Sequence, residues 1–327
     1  MNLLYRSPQL WLATAIVIAA AESIGVSAQG TVFKSGVDMV PLTVTVTDAR
    51  GHYVTGLTGD DFAVFEDGEQ QPIAFFAGEQ LPLDVAMVLD TSSSIEPFMA
   101  MIRKSATGLI RNLRSGDRSA VTAVQSSVVV PQPLTSDLGR VAAAIGALRT
   151  GGSTALYDGL YMVLTDFARQ RRERPEARRQ VVVVLSDGVD TASHVTADDV
   201  ARAASSVGVS IYVIALTGPK AASQHARDMT AERAVYYLRT LAQDSGGRMF
   251  RPTTALELPA VYEAIARELA SQYDIAYLPT RLDGGDGFRH VAVRVRPPTQ
   301  AAVRARTGYQ SRATRPVDIA SRLPRPD

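Results

Sequence analysis

Cysteine is absent from the 327 residues. That excludes thiolate metal sites, cysteine nucleophiles, disulfides and a lipid-modified N-terminal cysteine, while leaving the compartment open. Histidine is almost as scarce. His52, His194, His225 and His290 are the full set; they are scattered, with no metal-ligand spacing and no recognisable Ser or Asp partner. No Gly-x-Ser-x-Gly elbow, phosphate-binding glycine loop or His-Glu-x-x-His occurs. Net charge is lacking too, at +1, so the whole molecule is not a polyanion binder and no nucleic acid is expected as a partner. Metal chemistry in this chain has to be built from oxygen.

Long apolar runs are also missing. Residues 10–21, which include the lone tryptophan Trp11, form an apolar core behind Arg6. Glu22 and Ser23 break it, and Val26-Ser27-Ala28 is a small-residue cleavage signal. The run is shorter than the roughly 18 residues a membrane span needs. Residues 1–28 therefore read as a secretory signal peptide, with an uncleaved anchor as the alternative. The mature chain is expected to be exported, periplasmic or extracellular, without a stable membrane span. Its length has room for about two domains.

What is there begins with a period-2 stretch at 37–47, where apolar and hydroxyl side chains alternate as in a half-buried strand. A strand at 62–65 is closed by the hairpin signal Asp67-Gly68, and 71–76 is the expected return strand. From Pro82 the pattern changes to short apolar runs alternating with amphipathic segments. Strands are expected at 83–89, 119–124, 127–130, 180–185, 209–216 and 247–251. Helices are expected at 96–113, 137–148, 155–168, 196–206, 230–245 and 256–271. Alternation of this kind predicts an α/β unit, a doubly wound and mostly parallel sheet with helices on both faces. From Tyr273 the β pattern returns, at 274–278, 289–296 and 301–306. Neither β flank has enough strands to stand alone. The expectation is one small all-β sandwich made from 29–80 and 273–309, with the α/β unit of 81–272 inserted in it and 310–327 as a disordered tail. Two separate β units are the alternative.

Chemistry is concentrated at strand ends. Val85-Ala-Met-Val-Leu-Asp90-Thr-Ser92-Ser-Ser94 runs from a buried strand into a carboxylate and a cluster of hydroxyls, at the end of the sheet where open α/β folds bind ligands. Thr154, in Gly151-Gly-Ser-Thr154, and Asp187, after the strand at 180–185, add two more oxygens. Clustered hard oxygens suit a hard divalent cation such as Mg2+, which takes about six oxygens and keeps several waters. Two carboxylates only neutralise a dication and hydroxyls donate weakly, so the ion stays electrophilic with an open position. A carboxylate from another protein is its natural occupant. Helix N-capping is the competing reading for Asp90, Ser92 and Ser94 taken alone.

These three segments, with Gly151-Gly-Ser-Thr154-Ala-Leu-Tyr-Asp158 and Leu185-Ser-Asp187-Gly188 in order and spacing, resemble the metal-ion-dependent adhesion site of von Willebrand factor type A domains. Gly56-Leu-Thr-Gly-Asp-Asp-Phe62, Glu66-Asp-Gly68, Gly246-Gly-Arg-Met-Phe250 and Gln272-Tyr-Asp-Ile-Ala-Tyr277 are similar to a bacterial exported subfamily described in acidobacteria. The resemblance implies Asp90, Ser92, Ser94, Thr154 and Asp187 as metal ligands. Asp90 would act mostly through water, and Ser92 and Ser94 directly. Thr154 and Asp187 would exchange direct and water-mediated contact. Mg2+ is the expected ion, with Mn2+ or Ca2+ as alternatives. In animal members, capture of a ligand carboxylate couples to movement of the last helix, here 256–271. Ser153, set between the glycines and Thr154, is a departure that could compete as a ligand.

The implied protein is a non-enzymatic binding module. Two further readings stay open: a Mg-dependent hydrolase, which lacks an identifiable general base, and a metal-stabilised scaffold. Asp158 is expected to support the Thr154 loop or cap a helix, and Asp190 and Thr191 to form a turn and rim. The arginine run at 169–179 reads as a solvated helix end rather than a nucleic-acid patch. Tyr236, Tyr237, Tyr262 and Tyr273 read as packing residues.

Overall fold

The structure is a computed structural model. It describes residues 39–77, 81–173, 176–187, 189–216, 225–280, 287–296 and 301–311, with side chains from 232 onward in the segment that opens at 225. Residues 1–28, expected as a signal peptide, residues 281–286 and most of the expected tail, from 312, lie outside the described residues.

The first flank supplies β1 (Val40–Thr47), β2 (Phe62–Glu66), β3 (Glu69–Gln71) and β4 (Ile73–Ala77). Asp67 and Gly68 both take positive φ, 48° and 88°, as the two central residues of a type I′ hairpin require. The expected single return strand is two strands. Pro72 has no N–H to give a ladder; before it β3 pairs with β2, and after it β4 crosses to another sheet and pairs with β11 (Tyr273–Tyr277).

The α/β unit follows. Its strands are β5 (Leu83–Asp90), β6 (Arg118–Val124), β7 (Val128–Thr135), β8 (Arg179–Ser186), β9 (Ser210–Ala215) and β10 (Met249–Phe250). They lie in the order β10-β9-β8-β5-β6-β7, all neighbours parallel except the β6–β7 hairpin. Every residue of β5 and β8 is buried, as a strand covered on both faces demands. Val85, Met87 and Leu89 face a core shared with α1 (Met99–Arg111), α2 (Leu138–Ala147) and α6 (Leu258–Leu269). Ala86 and Val88 face the opposite core, with α3 (Leu156–Glu173), α4 (Ala197–Val207) and α5 (His225–Asp244). The sheet is doubly wound. Before α1, residues Ser93–Phe98 form a 3-10 turn containing Pro97, so the α-helix starts later than its amphipathic pattern.

The second flank supplies β11, β12 (Phe288–Val295), β13 (Ala302–Arg304) and β14 (Gly308–Gln310); β14 had no signal in the sequence. Two four-stranded sheets result, β13-β1-β11-β4 and β14-β12-β2-β3. Both flanks contribute to each. Leu42, Val44, Ile275 and Tyr277 of one sheet pack with Phe62, Val64 and Val291 of the other in a single core. The rings of Phe62 and Tyr273 lie 5.1 Å apart, a contact worth about 1 kcal/mol beyond burial.

A buried polar network ties this sandwich to the amino-terminal end of the central sheet. Glu268 of α6, fully buried, accepts from Tyr212 Oη at 2.5 Å, from Tyr53 Oη at 3.3 Å and from the Arg304 guanidinium. Gln272 donates to Thr45 Oγ1 and to Tyr212 Oη, and accepts from Arg179. The arginine run is thus not a simple solvated helix end. Arg171 reaches Val207 O and Gln180, Arg178 holds Asp84, and Arg179 is buried on Gln272 and Leu269 O. Tyr262 is buried in the core as expected, but Tyr236 is 63% exposed.

Candidate metal centre

Each of the three oxygen-bearing segments leaves a strand or loop at the carboxyl end of the central sheet. Asp90 ends β5 and is fully buried. Its Oδ1 accepts from Ser92 N at 2.9 Å and its Oδ2 from Ser186 Oγ at 2.7 Å. Burial pushes its carboxyl above the ordinary range; the hydrogen bonds of Ser92 and Ser186 pull the other way, and the Asp187 charge adds to the rise.

Ser92 precedes the 3-10 turn, yet its side chain makes no capping hydrogen bond. Its Oγ lies 3.0 Å from Ser94 Oγ. Ser94 Oγ in turn donates to Asp187 Oδ2 at 2.7 Å, across 93 positions of chain. Asp90, Ser92, Ser94 and Asp187 are therefore connected, Asp90 through the Ser92 backbone N–H and the rest as a string of oxygens.

Thr154 enters through backbone contacts between loops. Ser93 N donates to Gly152 O and Gly151 N to Thr91 O. Gly152 has φ +75°, and a Cβ there would sit 2.4 Å from Ser126 Oγ, so only glycine fits this turn without displacing Ser126. Thr154 N donates to Thr191 Oγ1, and Thr191 N and Ala192 N donate to Thr154 O. Thr154 is buried, and its own hydroxyl forms no hydrogen bond among the described residues. Ser153 turns elsewhere: its N and Oγ both bond Ser126 Oγ at 3.1 Å.

Several supporting residues escaped the sequence reading. Ser186 holds Asp90. Asp190, expected as a plain turn, accepts from Tyr157 N in the first turn of α3 and from Ser193. Among the described residues the Asp158 carboxylate bonds neither the Thr154 loop nor its own helix. It accepts from His194 N and Val195 N, and pairs with His194 Nδ1 at 2.9 Å. His194 thus has the acidic partner that no short-range spacing could reveal.

Among the described residues no three His, Asp or Glu side chains cluster as a metal site, so the donor set leans on hydroxyls. No cationic side chain pairs with Asp90 or Asp187 among those residues either. Two carboxylates, one of them fully buried, are thus linked through Ser92 and Ser94 without a counter-charge among the described residues. Buried charge of this kind is held by pairing or by a metal, and hard hydroxyl and carboxylate oxygens fit a small dication.

A doubly wound α/β domain with such a cluster at the carboxyl end of its sheet is the class of protein defined here. The family model for the von Willebrand factor type A domain matches residues 84–264, and the chain belongs to that family. An uncharacterised protein of Synechocystis, sll0103, is 29% identical over 112 residues, 33% of this chain and 26% of that protein; the chain thus spans about a quarter of the length of this curated relative. A von Willebrand factor type A structure from Catenulispora acidiphila has a TM-score of 0.48 at 14% identity, covering 88% of this chain and 76% of that one. Proximal thread matrix protein 1 of the mussel byssus, with a zinc-occupied MIDAS motif, has a TM-score of 0.47 at 19% identity, covering 62% and 49%. The domain of the Porphyromonas gingivalis pilus tip protein Mfa5 has a TM-score of 0.44 at 16% identity, covering 57% and 95%. No helix among the described residues is long and apolar enough to cross a membrane.

Proposed function

We propose that this chain is an exported, non-enzymatic protein-binding module of adhesion or assembly type. In this reading Asp90, Ser92, Ser94, Thr154 and Asp187 hold a Mg-type divalent ion, and the partner protein supplies a carboxylate. The observation that carries it is the hydroxyl string: Ser92 Oγ meets Ser94 Oγ, which bonds Asp187, and Ser92 does not cap the turn behind it. When bound, the ion supplies an electrophilic position open to an acidic side chain.

The chain's own residues do the rest. Asp90, both oxygens already engaged, orients Ser92 and carries negative charge from within. Asp187 and Ser94 lie at the outer end of the string, where a partner arrives. Thr191 and Asp190 keep the Thr154 loop against the Asp187 loop. Family membership supports a recognition role, and the signal-like segment at 1–28 supports export.

Thermal unfolding with Mg2+, Mn2+ or EDTA tests the site. Mg2+ at about a hundred times its dissociation constant should add roughly 2.7 kcal/mol of stability, visible as a higher Tm that EDTA reverses. The increment should vanish in Asp90→Ala and in Ser94→Ala, whose exposed side chain is dispensable for folding. If the Mg2+ increment survives both substitutions, the ligand assignment is wrong. A pull-down from periplasmic or extracellular extract then separates a binding module, whose capture EDTA abolishes, from a metal-stabilised scaffold that captures nothing.

The His194–Asp158 pair favours one second reading, a Mg-dependent hydrolase with His194 as base. Asp158 Oδ1 is already engaged by two backbone N–H groups, which makes the pair a loop anchor first. Phosphoesterase activity that Mg2+ supports and His194→Ala removes would promote that reading above the first.

A further inference from the structure

Along the β10 edge of the central sheet, a cleft of about 460 Å3 opens between α5, that edge and the edge of the sandwich. Arg239, Arg248, Arg251 and Arg304 line it, with Tyr53 and the buried Glu268. The sole acid of that set is already satisfied by Arg304, Tyr212 and Tyr53. Arg304 also donates to Gly246 O and Gly247 O, so its charge is held in the wall. Arg239, Arg248 and Arg251 are exposed, and none of the three pairs with a carboxylate among the described residues. The molecule is nearly neutral overall, so three unpaired cations in one cleft are a local excess.

The cleft is also built, not incidental. Gly247 packs so close to β9 that a Cβ would meet Ile211 O at 2.0 Å. Arg248 O then accepts from Val213 N, and the Arg248 guanidinium lies 4.9 Å from the centre of the Phe250 ring. Its position is fixed by sheet and ring together. The Gly246-Gly-Arg-Met-Phe250 motif has here a physical role that the cation site does not use.

Two strand edges border the same space. Among the described residues β10 is the outer strand of the central sheet and β13 the outer strand of its sandwich sheet. Each has main-chain groups on one side without a strand partner. An extended peptide can use such an edge, and its alternate side chains then reach one wall.

We propose that this cleft binds an acidic, extended segment of a partner protein, with its carboxylates on Arg239, Arg248 and Arg251, independently of the cation site. The test is fluorescence polarisation of a labelled oligoglutamate peptide with the full chain in EDTA, which silences any cation-dependent capture. Binding should be saturable and weaken as NaCl rises. Arg239→Glu with Arg251→Glu should weaken it by about tenfold or more. Arg172→Glu, a single charge reversal on an exposed arginine of α3, should leave it unchanged, as should Asp90→Ala. No binding, equal weakening by Arg172→Glu, or displacement by inorganic phosphate at matched charge concentration would each overturn the proposal. The last result would make the cleft a small-anion site; self-association abolished by the same double substitution, without peptide binding, would make it an interface between copies.

Discussion

Replacing either partner of the Glu268–Arg304 pair probes how the sandwich is held to the central sheet. Glu268 is fully buried and Arg304 is 30% exposed, so the two substitutions are not equivalent. Arg304→Ala leaves a buried carboxylate with hydroxyl donors only, and should cost toward the upper end of the roughly 3–5 kcal/mol typical of a broken buried pair. Glu268→Ala leaves a partly solvated guanidinium that still reaches Gly246 O and Gly247 O. It also leaves a Tyr212 hydroxyl without its acceptor, worth about 1–3 kcal/mol, for a total near 3 kcal/mol. Glu268→Gln keeps shape and one acceptor and should cost least. The double substitution should cost less than the sum, with a coupling of about 2 kcal/mol. Urea unfolding followed by far-UV circular dichroism measures all four, since the lone tryptophan, Trp11, lies in the stretch expected as a signal peptide. Total stabilities of about 5–15 kcal/mol make such losses easy to resolve. An Arg304→Ala loss under about 1 kcal/mol would refute the reasoning, because it would mean water reaches Glu268 in the folded protein.

Burial, together with its hydrogen bond to Glu66, raises the Tyr309 phenol to about 12, and Tyr277 on the same carboxylate is raised further. A raised folded value means the stability these phenols contribute is complete below the unfolded value near 10, and is lost as pH rises from there through about 12. Absorbance titration should show a late-ionising tyrosine class, moved to lower pH by Glu66→Gln. Gly247→Ala should detach β10 from β9 and cost more than about 3 kcal/mol. Gly108→Ala, in the last turn of α1 with nothing within 4 Å of the added methyl, should stabilise by up to about 0.5–1 kcal/mol. Thermal melts of the two variants check the contrast.

The elements easiest to read in the sequence were those whose signal is local. β5 and β8 are continuous apolar runs, Asp67-Gly68 is a turn that few residue pairs can make, and Thr196 is a good cap residue that caps α4. The oxygen cluster was legible because strand ends mark where side chains leave the sheet. What stayed hidden depends on distant partners. Pro72 was visible, but nothing near it says that β4 belongs with β11. Arg178 and Arg179 sit in a charged run, and composition cannot show that Asp84 and Gln272, 94 and 93 positions away, receive them. The His194–Asp158 contact spans 36 positions and carries no spacing rule. β14 is three residues long, too short for any periodicity to register.

The interleaving of the two flanks sets an order of events during synthesis. β1 lies between β11 and β13, and Thr45 meets Gln272 at 227 positions' distance. The two cores of the α/β unit draw only on residues between Leu83 and Leu269, so that unit can be complete while the sandwich still lacks half its strands. Until the last strands emerge, Leu42, Val44 and Val46 have no sheet to enter, and the β1 edges stay open to any passing chain. The sandwich is therefore the late, slow step of folding, and aggregation during expression should be governed by β1 rather than by the domain that bears the cation site.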